Sequence, residues 1–306
     1  MATDVMCIGQ AVVDCIVRGK EAQAYKKNVY RAESITLSAG GDAVNESSVL
    51  AELGHHVSIC CGLGHDHAAG IILGEVEKHG VHTDHVQILD HFETPIANLT
   101  VNQDGSRGSI NSKAVMLEGF LPDPEIVKGA GIVSLASLFR APFDRPEIII
   151  ELVKRAKEEG CIVCADTKLP TYRQIHMNDI REILPMIDYI FPNENEAAYY
   201  TGKDRYEEMA EAIHAMGVKN VIVKTGPHGC TVCGEKESFS LEARKVQAID
   251  STGAGDNFVA GFLSGILKGY SLRECTEYGT DCAAISVQYV GATAGITEWK
   301  RKEAKI

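Results

Sequence analysis

The sequence has no apolar run long enough to span a bilayer and no basic segment followed by an apolar stretch near Met1. It also lacks a G-x-G-x-x-G after its first strand-like run, and it has no Walker A motif. A dinucleotide-dependent dehydrogenase and a P-loop enzyme are therefore without their phosphate-binding loops. Basic residues are in deficit, with 30 Lys and Arg against 42 Asp and Glu and a formal net charge of −12. A nucleic-acid partner normally needs a basic face, so none is expected. No membrane partner is expected either, and the location reads as cytoplasmic. An anionic nucleotide remains compatible with this charge, because local backbone dipoles and a bound cation can hold phosphate.

Cysteine, by contrast, is plentiful, with ten residues scattered through 306. In a chain this large they read as reduced core thiols rather than a disulfide framework. Two C-x-x-C spacings, Cys161/Cys164 and Cys230/Cys233, superficially resemble zinc knuckles. Both lie in strand-like segments, where residues three apart point to opposite faces and cannot easily share a metal. Ordinary buried thiols are expected.

Apolar strand-like runs alternate with helix-period segments along most of the chain, the pattern of an α/β fold with a mostly parallel sheet covered by helices on both faces. Strands are expected at Val5–Ile8, Val57–Cys61, Gly131–Ala136, Cys161–Ala165, Tyr189–Phe191 and Asn220–Lys224. Helices are expected from Asp42, as a side-chain cap, to Leu53, and at His67–His79, Pro146–Glu159, Tyr206–Met216, Asp256–Leu267 and Leu272–Tyr289. One domain of residues 1–306 accounts for the pattern. Two stretches, about 11–38 and 94–112, alternate without an intervening helix and carry turn signals such as Gln103-Asp104-Gly105. They predict a small antiparallel sheet beside the main layers, either a lid or a static edge layer.

The strongest chemical signal is Asp250-Ser251-Thr252-Gly253-Ala254-Gly255-Asp256, running directly into an apolar helix. The helix start offers unpaired amides and the positive end of a dipole, and its glycines admit an anion close to backbone. Such a loop suits charge stabilisation during phosphoryl transfer. Asp256 is expected to stay ionised there and to act as general base toward a hydroxyl. A plain helix cap explains one aspartate but not Gly-Ala-Gly. A second signal is Gly40-Gly41-Asp42-Ala43-Val44-Asn45, where Asn45 offers both donor and acceptor to a polyol. A tight turn alone also uses paired glycines. Asp14 follows the first strand and can accept from sugar hydroxyls.

Taken together, the sequence resembles the ribokinase family of carbohydrate kinases, the PfkB type. The resemblance rests on GGDAVNESSVLAELG early, FPNENEA in the middle, VIVKTGPHG after it, and DSTGAGDNFVAGFL late, in family order. It implies a ribokinase-like fold and transfer of the γ-phosphate of ATP to a sugar hydroxyl. Asp256 would be the base, and Gly253, Ala254 and Gly255 the anion hole. Asp14, Gly40, Gly41 and Asn45 would hold the sugar, with Lys224, Gly226 and Gly229 along the nucleotide. Asn193 and Glu196 would organise Mg²⁺ through its waters. A monovalent cation, K⁺, would sit by Asp250, Thr252, Ser286, Tyr289 and Gly291. Homodimers through the lid are common in the family.

Departures from ribokinase itself bear on the substrate. Asp42 stands where that enzyme has lysine, and Asp166-Thr167-Lys168 replaces Asp-x-Asn. Arg107, Arg140 and Lys168 are cations that can approach the pocket, which points to a sugar acid or a longer modified sugar if one of them meets a carboxylate. The lid segments are poor in aromatic rings for stacking a base, which argues against the alternative of a nucleoside kinase. A non-catalytic sugar or nucleotide sensor on the same fold is the other rival, and it would not need a base.

Overall fold

Runs such as Val5-Met6-Cys7-Ile8 can be buried only where helices cover both faces of a sheet. A computed structural model has that architecture and describes residues 3–20, 31–102, 107–112 and 119–303. The chain opens with β1 (Thr3–Ile8), β2 (Val12–Lys20), β3 (Ser34–Gly40), α1 (Asp42–Glu52), β4 (Val57–Cys60), β5 (Gly62–Gly64), α2 (His67–Lys78) and β6 (Gln87–Leu89). It continues with β7 (Ile96–Asn102), β8 (Arg107–Asn111), β9 (Ala130–Leu138), α3 (Pro146–Glu158), β10 (Ile162–Thr167), β11 (Tyr189–Ile190), α4 (Glu194–Thr201) and α5 (Tyr206–Ala215). The last third holds β12 (Asn220–Lys224), β13 (Cys230–Gly234), β14 (Ser238–Leu241), α6 (Ala254–Leu267), α7 (Leu272–Ser286) and α8 (Ala294–Glu303).

The main sheet runs β14-β13-β12-β11-β10-β9-β1-β4, parallel from β4 to β12 and antiparallel at the β13–β14 edge. Its period-two alternation sorts side chains into two cores. Met6, Ile8, Val133 and Val163 pack with α3 and α5, whereas Val5, Cys7, Ile132 and Ile222 pack with α1, α6 and α7. The C-x-x-C pairs obey the same rule. Cys161 and Cys233 join the first core, Cys164 and Cys230 the second, and all ten cysteines are free.

A second sheet of four strands, β3-β2-β7-β8, comes from the two segments that lacked helices. It is mixed rather than antiparallel: β2 pairs β3 and β7 pairs β8 antiparallel, but the central β2–β7 pair is parallel. Two hairpins joined side by side give that arrangement, because the long excursion through α1 and α2 reverses the chain before β7 begins. The Gln103-Asp104-Gly105 turn lies outside the described residues.

Helix starts differ in detail from expectation. Asp42 is the first helical residue, and Gly41 precedes it with no side-chain cap. The Asp42 carboxylate instead accepts from Ser137 Oγ at 2.8 Å, so a tertiary partner outcompetes the local amide. The short helix α4 and the terminal α8 were not expected, nor was the β13–β14 hairpin edge. The signal for α4 was present, since Asn193 and Glu196 form a reciprocal capping box across its first turn.

The aromatic cluster that seats α6 is the fold's mechanical support for the late motif. Phe262 is fully buried, with its ring centroid 5.0 Å from Phe191 and 5.2 Å from Tyr189. Phe262→Ala is expected to lower the unfolding free energy by about 3–5 kcal/mol, the range for emptying a packed aromatic site. Urea denaturation of the two proteins checks this; a loss below about 1 kcal/mol would mean the helix is seated by something else.

Candidate active site

In a sheet of parallel strands, ligands bind beyond the carboxyl ends, where the order of strands reverses. Here β1 lies between β4 and β9, so the reversal falls at the β1/β9 pair. Beyond those ends opens a cleft of about 660 Å³. Gln10 follows β1, Arg140 follows β9, Lys168 follows β10, and Lys224 ends β12; all four line the cleft. So do Asp14, Gly41, Asp42, Asn45, Asn193 and Gly226, and the whole run Ser251–Asp256. Asp14 comes from β2, which brings the second sheet to the cleft's edge.

The late motif turns into α6 at Gly253, whose φ of +72° is left-handed. A side chain there would sit 2.4 Å from Ala292 Cβ, so both conformation and space require glycine. Ala254 N–H donates to Ser251 O at 3.3 Å. The amides of Gly253, Gly255 and Asp256 donate to no acceptor among the described residues. The free donors are thus Gly253, Gly255 and Asp256, not Ala254. A side chain on Gly255 would stand 3.3 Å from Lys224 Nζ, so the ammonium flanks this amide cluster.

Asp256 lies in the first turn of α6 and is buried. Asn45 Nδ2 donates to its Oδ2 at 2.6 Å, joining the early and late motifs. Asp256 is expected to stay ionised, and at neutral pH it mostly does, although its surroundings outweigh the helix dipole. Burial pushes it from 3.8 up to about 6, Asp42 and Asp166 add repulsion, and Lys168 and the Asn45 hydrogen bond pull back. Asp14 is likewise raised to about 6, by burial and by the Asp256 and Asp42 charges. Gly40 leaves room for it: a side chain there would meet Asp14 Oδ2 at 2.3 Å.

Two of the lysines named from the sequence support this pair. Lys224 Nζ donates to Asp166 Oδ1 at 2.7 Å, and Lys168 Nζ lies 3.2 Å from Asp42 Oδ2. Burial opposes the charge on Lys168, but Asp42, Asp166, Asp256 and Glu196 more than offset it and hold the ammonium well above its ordinary range. Glu46, one residue past Asn45, is fully buried, and burial followed by the Asp166 charge pushes it far up. A glutamate on an amphipathic helix ordinarily reads as solvent-facing, which is why it escaped notice.

Other expected residues separate into two sets. Asn193 and Glu196 meet, but the Glu196 carboxylate is spent on Asn193 N–H and Nδ2 and on Thr167 Oγ1, at 2.7–2.9 Å. Gly229 turns the chain into β13 and does not line the cleft. Asp250 accepts from Thr252 N–H, Thr252 Oγ1 and Gly291 N–H, and Val287 O accepts from Ile249 and Asp250 N–H. These bonds dock the end of α7, with Ser286 and Tyr289, onto the late loop. Arg18, from β2, also reaches Asp250 at 3.3 Å. The Arg107 side chain lies outside the described residues.

Free amides and an ammonium beside glycines suit a phosphate chain. Asp166 Oδ2 is buried without a hydrogen-bond partner and gives a hard oxygen donor of the kind Mg²⁺ takes, while Asn193, the N-cap of α4 beyond the neighbouring strand β11, lines the cleft. No cluster of three or more His, Cys, Asp or Glu fit to hold a metal directly occurs among the described residues. The Asp250 carboxylate, already bonded by a guanidinium and three other donors, fits a monovalent cation poorly.

The chain matches the description "pfkB family carbohydrate kinase" over residues 2–299. It belongs to that family. It is 30% identical to a ribokinase of Arabidopsis thaliana, over 98% of this chain and 80% of the relative. It is 26% identical to an ATP-dependent 6-phosphofructokinase of Thermoanaerobacterium thermosaccharolyticum, over 96% and 91%. The structure of the Arabidopsis ribokinase complexed with ribose and ATP superposes with a TM-score of 0.81 at 28% identity, covering 96% of each chain. This pfkB protein is accordingly a carbohydrate kinase, a phosphotransferase with an alcohol group as acceptor.

The Asp256 environment has a consequence for stability. A carboxyl raised from 3.8 to about 6 on folding binds its proton more tightly in the folded state. Ionising it therefore costs folding free energy above about pH 6, and that cost fades as pH falls toward 4. Asp256→Asn is expected to be more stable than the parent at pH 8, by on the order of 2 kcal/mol, with the gain shrinking toward pH 4. Thermal unfolding across pH 4–8 checks it; a variant less stable at pH 8 would contradict the direction.

Proposed function

We propose that the protein transfers the γ-phosphate of ATP to a hydroxyl of a monosaccharide or sugar acid, with Asp256 as general base. The observation that carries this is the placement of one buried carboxylate and three free amides at the start of α6, on the wall of one cleft. In this reading Asn45 fixes Oδ2 of Asp256, leaving Oδ1 to accept the proton of the substrate hydroxyl. The oxygen attacks the γ-phosphorus, the bond to the bridging oxygen breaks, and ADP leaves. The loop Gly253-Ala254-Gly255 supplies the anion hole through the amides of Gly253, Gly255 and Asp256, and Lys224 adds positive charge beside it. Lys168 helps keep Asp256 ionised near neutral pH.

Asp14, Asn45, Gly40 and Gly41 form the sugar wall in this reading, since Asp14, Gly41 and Asn45 line the cleft and Gly40 makes room for the Asp14 carboxylate. ATP lies along Lys224 and Gly226, with Gly229 shaping the turn behind them. Bound Mg²⁺ would neutralise phosphate charge, with Asn193 and Asp166 orienting its waters and Glu196 holding Asn193 in place. The Asp250 carboxylate, beside Thr252, Ser286, Tyr289 and Gly291, is already taken by Arg18 and by the bonds that gather that loop, so a monovalent cation has no part in this reading. The second sheet serves as a lid, its Asp14 side toward the cleft. Its other face exposes Ile35, Leu37, Ile96 and Ile110, a surface suited to a homodimer through the lid. Free cysteines agree with a cytoplasmic location, and among the described residues no helix is long and apolar enough to cross a membrane.

Asp256→Asn is expected to lower kcat by about 10²–10⁴-fold while sugar binding persists. For the parent protein, kcat/KM is expected to fall about tenfold per pH unit below the Asp256 value of about 6. A coupled ADP assay over sugars, sugar acids and nucleosides reads both. A parent protein that binds sugar but turns nothing over would favour the sensor reading.

A further inference from the structure

Of the three cations that can approach the cleft, Lys168 is neutralised by Asp42 and the Arg107 side chain lies outside the described residues. Arg140 differs. Its Nε donates to Leu169 O at 3.0 Å, which fixes the plane of the guanidinium. No carboxylate among the described residues lies within ion-pair distance of it, although it is half-buried. It lines the main cleft and also a side recess with Gln10, Asp144, Thr171 and Tyr172. A half-buried guanidinium with its Nη atoms uncommitted carries a desolvation cost that no protein group offsets.

The backbone before it is specially shaped. Phe139 has φ of +74°, a conformation that costs a non-glycine residue roughly 1–3 kcal/mol. Its ring is fully buried and sits 4.7 Å, centroid to centroid, from Tyr200, which offsets that cost. The left-handed residue turns the chain at the end of β9, so that Phe139 enters the core and Arg140 faces the cleft. Arg140 therefore stands beyond β9, beside Gln10 beyond β1, at the strand-order reversal itself. Gln10 is held there by its own bond from Nε2 to Ala141 O at 3.0 Å.

We infer that Arg140 forms the anion subsite of the acceptor, and that the physiological acceptor is a sugar acid whose carboxylate pairs with this guanidinium. The inference rests on the kinase reading above and names the substrate class of that site. A planar monoanion matches one guanidinium in charge and in its parallel donor pair. A phosphate dianion would leave excess negative charge in a recess that already contains Asp144, with no second cation lining it. The carboxylate end of the acceptor is thereby set against Arg140 on the wall of the main cleft, apart from the hydroxyl end that faces Asp256.

The test compares five- and six-carbon aldonic and uronic acids with the neutral aldoses of the same skeletons and with their monophosphate esters. It uses the full chain, Arg140→Met and Arg140→Lys, with circular dichroism confirming that each variant is folded. The parent is expected to favour an acid over its neutral counterpart by about 100-fold in kcat/KM, carried mainly by KM. Arg140→Met should erase that preference, and Arg140→Lys should retain part of it. A parent that prefers neutral sugars or phosphate esters, or a preference for acids that survives Arg140→Met, overturns the subsite. Calorimetry on Asp256→Asn separates the two readings. Acids that bind it, but not the Asp256→Asn/Arg140→Met double variant, support the subsite even if Asp256 is not the base. Acids that bind neither protein, while the parent phosphorylates neutral sugars, overturn the subsite and leave the kinase reading standing.

Discussion

The cleft depends on a balance of buried charge. Asp14, Asp42, Glu46, Asp166 and Asp256 converge beyond the carboxyl ends of the parallel strands, and the two ammonium groups of Lys168 and Lys224 are set among them. Carboxylates this close cannot all ionise cheaply away from water, so each raises its neighbours. The lysines keep the group from collapsing into neutral acids. Asp256, the proposed base, sits near 6 because burial and repulsion outweigh Lys168, yet it remains mostly ionised at neutral pH. Removing either lysine would change the protonation of the whole cluster rather than of a single residue.

That balance explains two departures from ribokinase together. Aspartate replaces lysine at position 42 and lysine replaces asparagine at position 168, and the two side chains meet at 3.2 Å. The positive charge of Lys168 stands at the end of β10, where it acts on Asp256. Neighbouring residues on adjacent strand ends thus share the charge of the cleft.

Much of this was legible in the sequence. The parallel core, the helices that cover it, the second sheet and the kinase family all followed from periodicity and from four motifs. Asp256, Asn45, Asp14, Gly41, Lys224 and the late loop do share one cleft. Three matters were not legible. The mixed pairing of the second sheet depends on a chain reversal that no local pattern records. The burial of Glu46 depends on α1 lying against the main sheet, where Ser134 Oγ donates to its Oε2 at 2.7 Å. The failure of Asp42 to cap α1 follows from Ser137 and Lys168 reaching it from other strands.

By itself, the sequence determined the layers, the alternation of strands and helices, and the glycine turn into α6. These rest on local spacing: two residues per strand repeat, 3.6 per helical turn, and glycine wherever backbone must meet an anion. Only the tertiary structure decided which charges are paired and which are left open to a ligand. Coulomb interactions and desolvation depend on distance through space and on burial, and residues 42 and 168, or 45 and 256, have no proximity until the sheet brings their strand and helix ends together.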